Sequence, residues 1–127
     1  MSLPAGTPLR ADPQAITLLL IDAQPMFWDS MSGSREPVMA RTAHLLKLAG
    51  SVGVPVIATF EHPVERKGWL PERLERAMPA NAARFVKRTY DCCGEPEIRD
   101  ALLSGPGRQV AVAGAETDVC VLQSTLS

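Results

Sequence analysis

Three short, nearly continuous apolar runs constrain this chain more than anything else in it: Ile16-Thr-Leu-Leu-Leu-Ile21, Val54-Pro-Val-Ile-Ala-Thr59 and Gln109-Val-Ala-Val-Ala-Gly114. Their length and β-branched content predict strands buried on both faces of a sheet. Between the first two, Glu36 to Val52 carries Val38, Leu45, Ala49 and Val52 at helical spacing, flanked by Leu46 and Leu48, and stops at Gly53. That reads as a β-α-β unit. Leu70 to Met78, with Pro71 near its start, and Glu95 to Leu103, stopped by Ser-Gly-Pro-Gly, predict shorter helices; Arg84-Phe-Val-Lys87 predicts a short strand between them. The alternation β-α-β-α-β-α-β is that of an α/β fold, a parallel sheet with helices on both faces. Right-handed crossovers then bring every strand's carboxyl end to one edge, where ligands bind.

Residues 1–14 hold three prolines and no periodicity, so an extended arm is expected before a single domain at 15–127. The chain stops at Ser127, a few residues into a helix expected to start near Thr117 or Asp118. The expectation is a domain interrupted after its fourth strand, its C-terminal part missing. Thirteen Lys and Arg against fourteen Asp and Glu, a net charge of −1 with neither sign gathered into a block, argue against nucleic acid. The longest apolar run, Ala15 to Ile21, is far short of the ~20 residues that cross a bilayer, and it follows no cationic leader. No membrane partner and a cytoplasmic location are expected. Three cysteines, two of them adjacent at Cys92 and Cys93, lack CxxC or Cys/His metal spacing and suggest reduced thiols.

Polar residues that end apolar strands converge in such a topology however distant they are in sequence. Asp22 ends the first strand, Lys87 the third, and Cys120 lies just past the fourth, in the first turn of the expected helix. A thiol at a helix N-terminus beside an ammonium is expected to ionise below its free value of ~8.5. A neighbouring carboxylate can accept the thiol proton and pass it to a leaving amine. Backbone N–H groups at Cys120 and Glu116 point to where an oxyanion would form. On spacing alone the bland alternative is the favoured one: an inert buried cysteine, a capping aspartate and a solvated lysine.

Leu18-Leu-Leu-Ile-Asp22-Ala-Gln24 with Phe27, Phe85-Val-Lys87-Arg-Thr-Tyr90, and Val112-Ala-Gly114-Ala-Glu-Thr117-Asp-Val-Cys120-Val-Leu-Gln-Ser-Thr resemble, in order and spacing, the three signatures of the isochorismatase-like cysteine hydrolases. The third signature is closest to the small oligomeric branch, related to nicotinamidases. The resemblance implies a Rossmann-like three-layer α/β/α fold with a six-stranded parallel sheet, and an Asp22-Lys87-Cys120 triad. It further implies a non-proline cis peptide at Ala115-Glu116 that turns an N–H into the oxyanion hole. Gln24, Phe27 and Trp69 are candidate pocket walls.

The implied chemistry is hydrolysis of a small amide or related acyl substrate through a thioester on Cys120, in a homo-oligomer and without a cofactor. Isochorismate-type vinyl ether hydrolysis and a catalytically silent oligomeric scaffold are the alternatives. The nicotinamidase branch holds a metal through Asp-x-His, whereas Glu61 and His62 are adjacent here and point to opposite faces in an extended segment. No metal is expected, and His62 is expected to be an exposed loop residue. Cys92-Cys93 is expected at a turn or buried, without a redox role. The charged stretch at 71–76 is expected to be a solvated face, or at most a subunit contact.

Overall fold

Four strands run parallel in the order β3-β2-β1-β4, with β1 at Ile16–Ile21, β2 at Val56–Glu61, β3 at Ala83–Lys87 and β4 at Gln109–Gly114. The structure, a computed structural model, describes residues 10–106, 109–115 and 120–126. Its helices are α1 (Pro25–Asp29), α2 (Arg35–Val52), α3 (Val64–Lys67), α4 (Glu72–Ala77), α5 (Pro96–Ser104) and α6 (Leu122–Leu126), with a 3₁₀ turn at Cys92–Gly94. The expected α/β architecture is present, with α1 and α3 added as single turns at strand exits.

Strand pleating divides the core into two layers. Leu18 and Leu20 of β1 and Val56, Ala58 and Phe60 of β2 pack with Ala43, Leu46 and Ala49 of α2 and with Leu74 and Ala77 of α4. On the other face Leu19, Ile21 and Ile57 pack with Cys92, Ile98 of α5 and Cys120. Helices therefore cover both faces. The chain moves outward from β1 to β2 and β3, then returns to add β4 on the far side of β1, which makes the carboxyl end of β1 a switch point.

Three sequence expectations are corrected. In α2 the buried stripe is Ala43, Leu46 and Ala49, while Val38, Leu45, Leu48 and Val52 are exposed. Two apolar stripes overlap in this helix, and the one with alanines at its contacts lets the backbone approach the sheet. β2 starts and ends two residues later than its apolar run, because Pro55 has no N–H for a ladder and β3 supplies partners as far as Glu61, which pairs with Lys87. β4 is buried on neither face continuously: among the described residues it is the end strand, bonded to β1, and Val110 and Val112 are exposed. The stop at Gly53 holds, its φ of 77° closing α2 with a bond from its N–H to the Ala49 carbonyl.

Gly114 is required where β4 leaves the sheet. Its φ is 151°, and a Cβ there would collide with the Ile21 carbonyl oxygen and stand 2.8 Å from both the carbonyl carbon and the amide nitrogen of Ile21. The ends of β1 and β4 thus come closer than any side chain would allow, and the Ala115 N–H bonds the Ile21 carbonyl at 2.9 Å.

Candidate active site

Asp22 follows β1, and simple alternation would send its side chain to the face of Leu20. A positive φ of 50°, which aspartate tolerates better than most residues, turns it instead toward Thr59, on the opposite layer. The Asp22 N–H is held by the Thr59 carbonyl at 3.1 Å. The Thr59 hydroxyl donates to Asp22 Oδ1 at 2.9 Å. Lys87, the last residue of β3, brings Nζ to 2.8 Å from Asp22 Oδ2 and donates to the Thr89 carbonyl at 2.9 Å. Oδ2 faces the Lys87 ammonium, its ion-pair partner.

Cys120 completes the cluster from beyond β4. Its sulfur lies 3.8 Å from Glu61 Oε2, and one ligand-type atom each of Asp22, Glu61 and Cys120 falls within 4.8 Å of the others. Asp22, Lys87 and Cys120 are fully buried. Glu61 is fixed at its backbone by Gln24, whose Oε1 accepts from the Glu61 N–H at 2.7 Å and whose Nε2 donates to the Glu61 and Gly68 carbonyls at 3.2 and 2.7 Å. The free end of its carboxylate pairs with Lys67 of α3, Oε1 to Nζ, at 3.0 Å.

The electrostatics correct the expectation of a resting thiolate. Burial, followed by the hydrogen bond and charge of Asp22 and the charge of Glu61, outweighs Lys87 and pushes the Cys120 thiol up to about 12. Burial alone would lower Lys87, yet the charge and hydrogen bond of Asp22 hold it above its ordinary 10.5. It is an ammonium at neutral pH.

Other expected site residues fall differently. Gln24 is fully buried and spends its amide on backbone groups, buckling the ends of β1 and β2 together. Phe27 lines a cavity of about 600 Å³ beside α1 and α2, which Ala23, Val38, Ala113 and Ala115 also line, though Asp22, Lys87 and Cys120 do not. Trp69 is 51% exposed and meets Phe60 edge-on, with ring centroids 5.0 Å apart, and it does not line that cavity. The Ala115 N–H is committed to Ile21, and Glu116, with the cis peptide expected before it, lies outside the described residues.

His62 is exposed, as expected, and is followed by a cis bond to Pro63. Cys92 is buried and Cys93 partly buried, both as free thiols. The Cys92 sulfur lies 3.9 Å from the Thr59 hydroxyl, and burial pushes its thiol above the usual range. In 71–76, Leu74 is buried, while Arg73, Arg76, Glu72 and Glu75 form exposed ion pairs.

Glu61, Lys67 and Thr59 were not apparent as site residues in the sequence. The available signal was the strand-end rule itself: with β2 carried to Glu61, that residue occupies the position Asp22 and Lys87 occupy on theirs. Asp22, Glu61 and Cys120 are also the group that could contact a cation. An ammonium already sits against each carboxylate, however, so an ion would have to compete with Lys87 and Lys67.

Fold and site together define a parallel α/β domain whose strand ends enclose a thiol between two carboxylate–ammonium pairs. The chain belongs to the family described as the isochorismatase domain, whose model matches residues 17–127. Isochorismatase family protein 1A of Dictyostelium discoideum is 24% identical over 116 residues, covering 90% of this chain and 56% of that protein. Among solved structures, MAR1 ribonuclease from Caenorhabditis elegans superposes with a TM-score of 0.81 at 26% identity, covering 93% of this chain and 59% of that one. The YcaC gene product of Escherichia coli, described as an octameric hydrolase of unknown specificity, superposes with a TM-score of 0.83 at 21% identity, covering 96% and 60%. The chain thus spans somewhat under two thirds of the length of each of these three relatives.

Proposed function

We propose that this chain carries the thiol site of a cysteine hydrolase acting on a small amide or related acyl compound. The observation that supports this most is the Lys87–Asp22 pair at 2.8 Å, reaching across β2 from the ends of β3 and β1, with Cys120 beside it. In this reading the Cys120 sulfur attacks the substrate carbonyl carbon as its proton passes to Asp22, which Lys87 pairs at 2.8 Å. A thiol held near 12 needs that transfer to be coupled to attack. The C–N bond then breaks as the proton moves on to the leaving amine, and water hydrolyses the thioester. Backbone N–H groups at Cys120 and Glu116 serve the oxyanion, with the cis peptide at Ala115-Glu116 aiming the second.

The partner is a small molecule, and self-association is proposed on the exposed Leu103 and Leu126, 75% and 74% accessible, and on the octamer described for the YcaC relative. No helix among the described residues is long and apolar enough to cross a membrane; a cytoplasmic location remains part of the proposal. RNA is not favoured as substrate, since the net charge is −1 and no basic block occurs. The burial and protonation of Cys120 favour one second reading, a silent scaffold of the same fold.

Ammonia release from a panel of small primary amides separates the two. The hydrolase reading expects turnover by the wild type and none by Cys120→Ser. Absence of turnover across the panel, with Cys120 inert to alkylation at every pH, supports the scaffold. Pyruvate release from isochorismate that survives Cys120→Ala would favour vinyl ether hydrolysis instead.

A further inference from the structure

The second ion pair has no part in the three-residue mechanism, yet it is built into the same site. Glu61 Oε1 is capped by Lys67, whereas Oε2 faces the Cys120 sulfur at 3.8 Å. The two side chains retain 15% and 12% exposure, while Asp22, Lys87 and Cys120 retain none. Of these five side chains, Glu61 and Lys67 are the two that reach solvent. The pair is also positioned: Gln24 clamps the backbone of Glu61 and the carbonyl of Gly68, immediately after Lys67, and the Lys67 ammonium sits 5.9 Å from the centroid of the Phe27 ring. A carboxylate so held offers acceptor atoms and no donor.

Building on the hydrolase reading, we infer that Glu61 is a specificity-determining residue. It accepts hydrogen bonds from N–H groups on the reacting carbon, so the site selects primary amides and ureas over matched esters and over substrates that carry a carboxylate there. Lys67 pairs with Oε1 and offsets part of the carboxylate's charge, while Oε2 faces the sulfur. An amide places two N–H donors where an ester places only an acceptor oxygen, which would face Glu61 unpaired. A carboxylate would meet like charge at close range in a site with little water.

Competitive alkylation of the full chain tests this without requiring turnover. Iodoacetamide and iodoacetate differ by the feature in question, and peptide mapping assigns adducts to Cys120 separately from Cys92 and Cys93. The wild type is expected to favour iodoacetamide at Cys120 by about tenfold more than free cysteine does, with Glu61→Gln bringing that preference to within about twofold of free cysteine. Lys67→Met, which leaves Glu61 uncompensated, is expected to widen the preference, and it supplies a test of opposite sign if Glu61→Gln does not fold. An unchanged ratio in Glu61→Gln, or a narrowed one in Lys67→Met, overturns the inference. Because the readout is a labelling ratio, failure of every amide in the turnover panel would remove the hydrolase reading and leave this result distinguishable from it.

Discussion

Cys120 should titrate far above the range of an ordinary thiol, and the pH profile of its alkylation measures this. With the thiol pushed up to about 12, the thiolate fraction at pH 7.5 is about 3 × 10⁻⁵, against about one in ten for a free thiol near 8.5. Labelling at that pH should be about 3,000-fold slower than for free cysteine on ionisation alone. Steric shielding of a buried sulfur lowers the whole profile without moving its inflection, so the slope carries the information: roughly a tenfold rise per pH unit from 7 to 11. The perturbation is Asp22→Asn, which removes two of the influences holding the proton on sulfur, the hydrogen bond and the charge of Asp22, and leaves Lys87 acting alone in the other direction. Its labelling at pH 7.5 should accelerate by about tenfold or more. The assay is mass spectrometry of the Cys120 peptide after timed iodoacetamide exposure, with far-UV circular dichroism to confirm folding. A wild-type plateau near pH 7, or slower labelling in Asp22→Asn, would refute the electrostatic reasoning.

Other perturbations have equally definite outcomes. Lys87→Met leaves the Asp22 charge buried without its ammonium and should cost about 3–5 kcal/mol in urea denaturation, with much of that recovered in the Asp22→Asn/Lys87→Met double variant; a loss below about 1 kcal/mol would show the pair to be energetically idle. Gly114→Ala drives a methyl group into the Ile21 carbonyl at a φ of 151° and should lower the melting temperature by several degrees or prevent folding; an unchanged melt would mean that the ends of β1 and β4 separate freely.

Alkaline melts probe the buried thiols and Lys87 together. Cys92 and Cys120 keep their protons beyond the value of 9.0 at which unfolded thiols release them, so the native state binds more protons and stability falls as pH rises above about 9. Lys87, raised above 10.5, adds stability that is full below that pH and lost as pH rises through its folded value. Cys120→Ala should show a shallower alkaline fall than the wild type, and a parallel one would count against this account.

Much of the fold was legible because it depends on local pattern. The run from Ile16 to Ile21 and the glycines at 53 and 114 mark β1, the end of α2 and the exit of β4 where the structure has them. Convergence of Asp22, Lys87 and Cys120 followed from parallel topology alone. What was missed depends on non-local pairing. The apolar run ends at Thr59, and only β3, reached 24 residues later, carries β2 on to Glu61. The face of α2 turned on which of two similar stripes meets the sheet, and the apolarity of Leu45 and Leu48 gives no preference between them. The left-handed backbone at Asp22 has no sequence signature of its own, yet it decides which layer the carboxylate enters.

Acid-quenched mass spectrometry of the chain during incubation with a turned-over amide addresses the central claim most directly. An acyl adduct is expected on the Cys120 peptide, accumulating when the leaving group is good and absent in Cys120→Ser. Steady turnover with Cys120 unmodified, undiminished by that substitution, would contradict it.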